Sequence, residues 1–134
     1  MPDCEELYGF SPSVVEEMVG EDYLFEVMKE YINTLYSLVN FPEQLESSQH
    51  DHLRLCLHTI KAASYMVGAK VSGQRAEKLE SDCKRFNECA TAPSKQWIDE
   101  LKSYQHYLAS NIEKINQYLS NLNNAQPPEG QSSP

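Results

Sequence analysis

His58 and Lys61 are the residues of this sequence whose types and spacing are best suited to group transfer. An unprotonated imidazole is a nucleophile near neutral pH. On a helix, a lysine three residues later is a spatial neighbour of that ring. Its ammonium can neutralise a phosphoryl group as a point charge. Ala62, at i+4 from the histidine, is small enough to let a second surface come close to the ring. The plainer reading of a lone helical histidine is solvated surface, and it is the lysine and alanine on the same face that argue against it here. Tyr65 shares that face and suits a docking contact better than catalysis. His50 and His52 form an HxH in a polar stretch with no nearby cysteine, a weak metal signal. His106 reads as surface. No phosphate-binding loop, dinucleotide fingerprint or HExxH is present, so nothing indicates an ATP site, bound cofactor or catalytic metal.

The elements that must position these groups read as helices. Pro12 and Gly20 bracket a short first helix that starts at Ser11. A second, from about Glu21 to Asn40, carries Val27, Met28, Tyr31, Ile32, Leu35 and Leu38 on one face. A third spans roughly Asp51 to Gly68. Its apolar stripe is Leu53, Cys56, Leu57, Ile60, Ser64 and Val67, while Arg54, His58, Lys61, Ala62 and Tyr65 lie opposite. Ser64 on the apolar stripe reads as a small residue for close helix packing, its hydroxyl bonded back to its own helix. A fourth helix, about Val71 to Glu88, has a less clean stripe of Val71, Arg75, Leu79, Cys83 and Phe86, and Gly73 weakens its start. A fifth opens at Pro93-Ser94 and runs to about Leu122. Together these predict an all-α chain: an antiparallel four-helix bundle with an additional short N-terminal helix. Residues 1–10 read as a loose lead-in, 11–122 as the bundle domain, and 123–134 (NNAQPPEGQSSP) as a disordered tail. The initiating Met and that tail favour a free-standing protein.

At 134 residues the chain is one domain's worth. Its net charge of -9 makes it a poor nucleic-acid binder. The charge is uneven. Residues 1–53 hold twelve acids against the single base Lys29, whereas residues 54–85 hold seven bases against three acids. A basic island on an acidic chain fits an acidic partner or a bound anion, and a randomly charged solvated face is the bland alternative. Cys4, Cys56, Cys83 and Cys89 show no CxxC or zinc-like spacing. They read as reduced thiols of a cytoplasmic protein, or a nuclear one in a eukaryote. No apolar run is long enough for a signal peptide or a membrane span.

The run His58-Thr59-Ile60-Lys61-Ala62-Ala63-Ser64-Tyr65-Met66-Val67-Gly68-Ala69, followed by Leu79-Glu80, resembles the signature of histidine-containing phosphotransfer (HPt) domains. The likeness extends over roughly residues 11–119 and is most specific over 57–80. It implies that His58 accepts the phosphoryl group through Nε2 and that Lys61 screens its charge. It also implies that Glu80 contacts the other ring nitrogen. The implied partners are receiver domains of hybrid histidine kinases and response regulators. A divalent metal is expected on the receiver, with none on this chain. The chain would then be a monomeric phosphocarrier in a two-component phosphorelay rather than an enzyme. Arg54, Ala62, Tyr65, Gly68 and Ala69 are the docking candidates, together with residues of the second helix. Ala62 stands where the family more often has Gly, and Ser72-Gly73 replaces a usual apolar residue at the start of the fourth helix. Two other readings compete: a non-phosphorylated helical adaptor on the same bundle, and a metal-binding bundle, which lacks the inward Glu and Glu-x-x-His sets such proteins use.

Overall fold

In the computed structural model, residues 3–41, 49–89 and 91–125 are described. Among them the chain is all-α, with the helices α1 (Cys4–Tyr8), α2 (Pro12–Val19), α3 (Glu21–Val39), α4 (His50–Met66), α5 (Lys70–Glu88) and α6 (Lys95–Ala125). Helices α3 to α6 form an antiparallel four-helix bundle, each beside its neighbour in sequence and α6 beside α3. The antiparallel register of α4 and α5 is visible in contacts that run in opposite directions along the chain. Asp51 meets Asn87, His58 meets Glu80, and Ser64 meets Ser72. In the same way Trp97 donates to the Leu79 carbonyl while Tyr104 reaches Ser72. Helix α2 is added against α3.

Residues 4–8 are not loose lead-in. They form α1, which lies on α6. The Asp3 carboxylate caps the helix by accepting from Glu6 N, and Gly9 ends it in the left-handed region at φ 79°. Five residues are too few to show a period, so only the caps could have announced this helix. At the other end α6 continues through residues 123–125, and the rest of the expected tail lies outside the described residues.

The apolar stripes of α3 and α4 are buried as their spacing predicts, with Val27 half-buried, and α6 adds a stripe of Trp97, Leu101, Tyr104, Leu108, Ile112, Ile115 and Leu119. Helix α5 differs. Its buried face is Ser72, Gly73, Ala76, Leu79 and Cys83, while Val71 is exposed. The face is displaced because the first turns of α5 direct small residues at α4, where Ser72 meets Ser64 and Gly73 meets the Tyr65 ring. The turn between α4 and α5 spans only three residues. Gly68 holds φ 75° there, and a Cβ on it would sit 2.6 Å from the Ser11 Cβ.

A chain of four hydroxyls crosses the core and joins the four bundle helices. Tyr31 Oη, Ser64 Oγ, Ser72 Oγ and Tyr104 Oη follow one another at 2.9 Å per step. Tyr104 Oη is also 2.9 Å from the Ser72 carbonyl, which can only accept. Each hydroxyl has one proton, so the direction of every bond is determined: Tyr31 donates to Ser64, Ser64 to Ser72, Ser72 to Tyr104, and Tyr104 to the carbonyl. Burial pushes the Tyr31 phenol up to about 12, which keeps this first donor protonated. Ser64 therefore bonds across helices rather than back to its own.

Candidate functional site

The site is built between α4 and α5. Ser64, Ser72, Gly73 and Ala76 place little bulk between the two helices, so a carboxylate on α5 can reach side chains on the outer face of α4. That carboxylate is Glu80. Its Oε2 lies 2.7 Å from His58 Nδ1, and its Oε1 accepts from Lys61 Nζ at 2.8 Å. The side chain of Glu80 is 13% exposed, that of Lys61 25% and that of His58 58%. The carboxylate is sheltered while the imidazole projects into solvent.

This geometry decides the state of the ring. Burial alone would raise the Glu80 carboxyl, but the hydrogen bonds from Lys61 and His58 outweigh it and hold the group below its ordinary value of 4.5. An ionised carboxylate only accepts. The proton between the two groups must then sit on His58 Nδ1, and in the neutral ring Nε2 keeps its lone pair. Lys61 is raised from its ordinary value of 10.5, chiefly by its bond to Glu80. Its ammonium is tied to the carboxylate and not free in solution, a pairing that the i, i+3 spacing to His58 did not reveal.

The docking candidates divide in two. Arg54 is half-buried, and Ala62 and Tyr65 are exposed, all on the His58 side of α4. Ala69 is fully buried and cannot touch a partner, while Gly68 is half-buried with its Cα turned against Ser11 and Val14 at the start of α2. Their small size serves the α4–α5 turn and its packing. Tyr65 lies across α5 at Gly73, where a Cβ would stand 2.9 Å from three of its ring atoms, and its hydroxyl donates to Glu77 at 3.1 Å. Beside this face, between α3 and α4, a cleft of about 350 Å³ is lined by Val27, Tyr31, Ala63, Met66 and Val67, with Glu26 and Glu30 at its edge. His52 stacks on Phe41, and no group of three or more His, Cys, Asp or Glu side chains placed to hold a metal occurs among the described residues.

Sequence reasoning missed Glu77 and the packing role of Gly73. It also missed Ser72 as a core polar residue. A signal existed for the last: Tyr31 and Tyr104 sit in apolar stripes, and a buried tyrosine needs a hydroxyl partner. Among the described residues no helix is long and apolar enough to cross a membrane. Comparison of the chain with known protein families, curated proteins and solved structures found no match.

Proposed function

We propose that this protein is a histidine phosphocarrier, taking a phosphoryl group on His58 from the aspartyl phosphate of a receiver domain and passing it to another receiver. The observation that carries the reading is the 2.7 Å contact of Glu80 with His58 Nδ1 on an otherwise exposed imidazole. It leaves Nε2 as the nucleophilic atom. In the transfer, the Nε2 lone pair forms the N–P bond as the P–O bond to the receiver aspartate breaks, and the bonding pair returns to that carboxylate. The ring becomes cationic, and Glu80 stands at its Nδ1–H to stabilise that charge. Lys61, one turn on, can turn from Glu80 towards the incoming phosphoryl oxygens. Phosphoryl transfer of this kind asks mainly for alignment and charge neutralisation. The receiver would bring its own divalent metal, so this chain needs no cleft and no ATP site.

The cleft between α3 and α4 favours a second reading, a helical adaptor that binds a partner without phosphorylation. Incubation with several phosphorylated receivers separates the two. Acid-labile, alkali-stable label on the wild type and none on His58→Gln supports the phosphocarrier. No label on either, with both proteins helical by circular dichroism, favours the adaptor.

A further inference from the structure

Helix α5 has no cap of its own. Its N-cap position is Ala69, which offers no side-chain acceptor, and Gly73 weakens the second turn. The missing acceptor comes from α1. The Glu5 carboxylate, in a residue only 5% exposed, accepts from Val71 N through Oε1 and from Ser72 N through Oε2, both at 2.9 Å. Tyr107 Oη on α6 donates to the same Oε2 at 2.7 Å. A carboxylate at a helix N-terminus also meets the positive end of the helix dipole. One side chain of a five-residue helix thus fastens the first turn of α5 to α1 and α6 at once.

Ser72 stands at the junction of two networks. Its N–H is held by Glu5, while its hydroxyl and carbonyl belong to the chain that runs to Ser64 on α4. Eight residues further along the same helix, about 12 Å at the helical rise, Glu80 holds His58 and Lys61. If the first turn of α5 frays, Ser72 leaves Ser64, and the register of α5 on α4 loses its anchor at that end.

We propose that Glu5 is a positioning residue for the His58 site: by capping α5 from α1 it fixes the α4–α5 register that keeps Glu80 on His58 Nδ1. The inference deepens the phosphocarrier reading, and the register part of it is measurable without any receiver. The decisive comparison is wild type, Glu5→Gln, Tyr107→Phe and Glu80→Gln, read by amide exchange and by the ¹⁵N shifts of the His58 ring. Glu5→Gln can present only one acceptor to the two backbone N–H groups. Exchange at Val71 or Ser72 should rise by about tenfold, as for a lost cap, and the Nδ1–H form of His58 should lose population. Tyr107→Phe keeps both backbone bonds and is the milder variant should Glu5→Gln not fold. It should change the same two readouts in the same direction but less. Glu80→Gln should alter the ring while leaving exchange at Val71 and Ser72 unchanged, which orders cause and effect. Faster exchange in the Glu5 and Tyr107 variants with an unaltered His58 ring would overturn the proposal and leave Glu5 as a cap alone. Unaltered exchange in both would overturn it altogether. A wild type that takes no label from any receiver would remove the phosphocarrier reading and leave these NMR results standing.

Discussion

Replacing Glu80 by Gln is the most informative single change at the site. The amide is nearly isosteric with the carboxylate, but it has one acceptor oxygen for two donors and no charge, so the hold on His58 Nδ1–H is weakened. In the wild type the carboxylate makes two charge-assisted bonds, at 2.7 and 2.8 Å, from a position only 13% exposed. Hydrogen bonds to charged groups contribute about 1.5–3 kcal/mol. The imidazole is more than half exposed and solvent screens its side of the pair, so the lower end applies. About 1.4 kcal/mol is tenfold in rate, and phosphoryl acceptance by Glu80→Gln should therefore be about tenfold slower than wild type. Freeing Lys61 from its partner acts in the opposite direction, because a free ammonium can attend the phosphoryl oxygens sooner. The ring must accordingly be read on its own. Rapid-quench transfer from a phosphorylated receiver gives the rate, and ¹⁵N shifts of the His58 ring give the tautomer. A rate within about twofold of wild type, together with an unchanged tautomer, would refute the argument that Glu80 prepares Nε2.

The ion pair also predicts a pH dependence. Glu80 is depressed below 4.5 in the folded state, so its contribution to stability is present above that value and is lost as pH falls through its folded value. Lys61 is raised above 10.5, so its contribution is present below that value and is lost as pH rises through the folded one. Denaturant midpoints of wild type and Glu80→Gln should differ at neutral pH and converge at strongly acidic pH, and a constant difference would contradict the assignment. Lys61→Ala should slow transfer and leave the circular dichroism spectrum unchanged. Equal transfer rates would argue against any role for the ammonium. Gly68→Ala places a Cβ at φ 75° and 2.6 Å from the Ser11 Cβ, so it should destabilise by about 2 kcal/mol or more. Gly73→Ala meets the movable Tyr65 ring first and gains helix propensity, so it should be neutral or stabilising by up to about 1 kcal/mol, and chemical denaturation distinguishes the two glycines. In the hydroxyl chain Tyr31 only donates, so Tyr31→Phe should cost about 1 kcal/mol, while Ser64→Ala strands both the Tyr31 donor and the Ser72 acceptor and should cost about 2 kcal/mol. The reverse order would refute the place of Ser64 as the link between two hydroxyl partners.

Much of the scaffold was legible because its long helices repeat apolar residues at helical spacing, with a clear stop at Gly20 and a clear start at Ser94. Ser94 accepts from Trp97 N as an N-cap should. His58 and Lys61 were legible as neighbours because they share one helix, where three residues fix proximity. Glu80 was reachable only through the resemblance to the phosphotransfer signature, since contact between α4 and α5 depends on register and no local spacing encodes it. The same limit hid Glu5, which is 66 residues from Val71 in sequence. Helix α5 misled because small and polar residues occupy its buried face, and hydropathy reads them as surface. Ala69 and Gly68 misled in the opposite sense. Small residues that follow His58 on its helix invite a docking role, but a three-residue turn with a left-handed glycine uses them for its own packing.

The hydroxyl chain has a consequence for which bundle can form at all. Apolar stripes of similar width are nearly interchangeable, so greasy contact alone would tolerate α5 sliding by a turn or the helices winding around in the opposite sense. A displaced or mirror arrangement would bury Tyr31, Ser64, Ser72 and Tyr104 without their partners, leaving several dry hydroxyls in one core. Four side chains, one from each bundle helix, thus act as a shared alignment mark that is satisfied in one topology. Replacing all four by Phe and Ala would keep the core apolar and erase this mark, leaving the choice of arrangement to the short α4–α5 turn, the Glu5 cap and the Glu80 contacts.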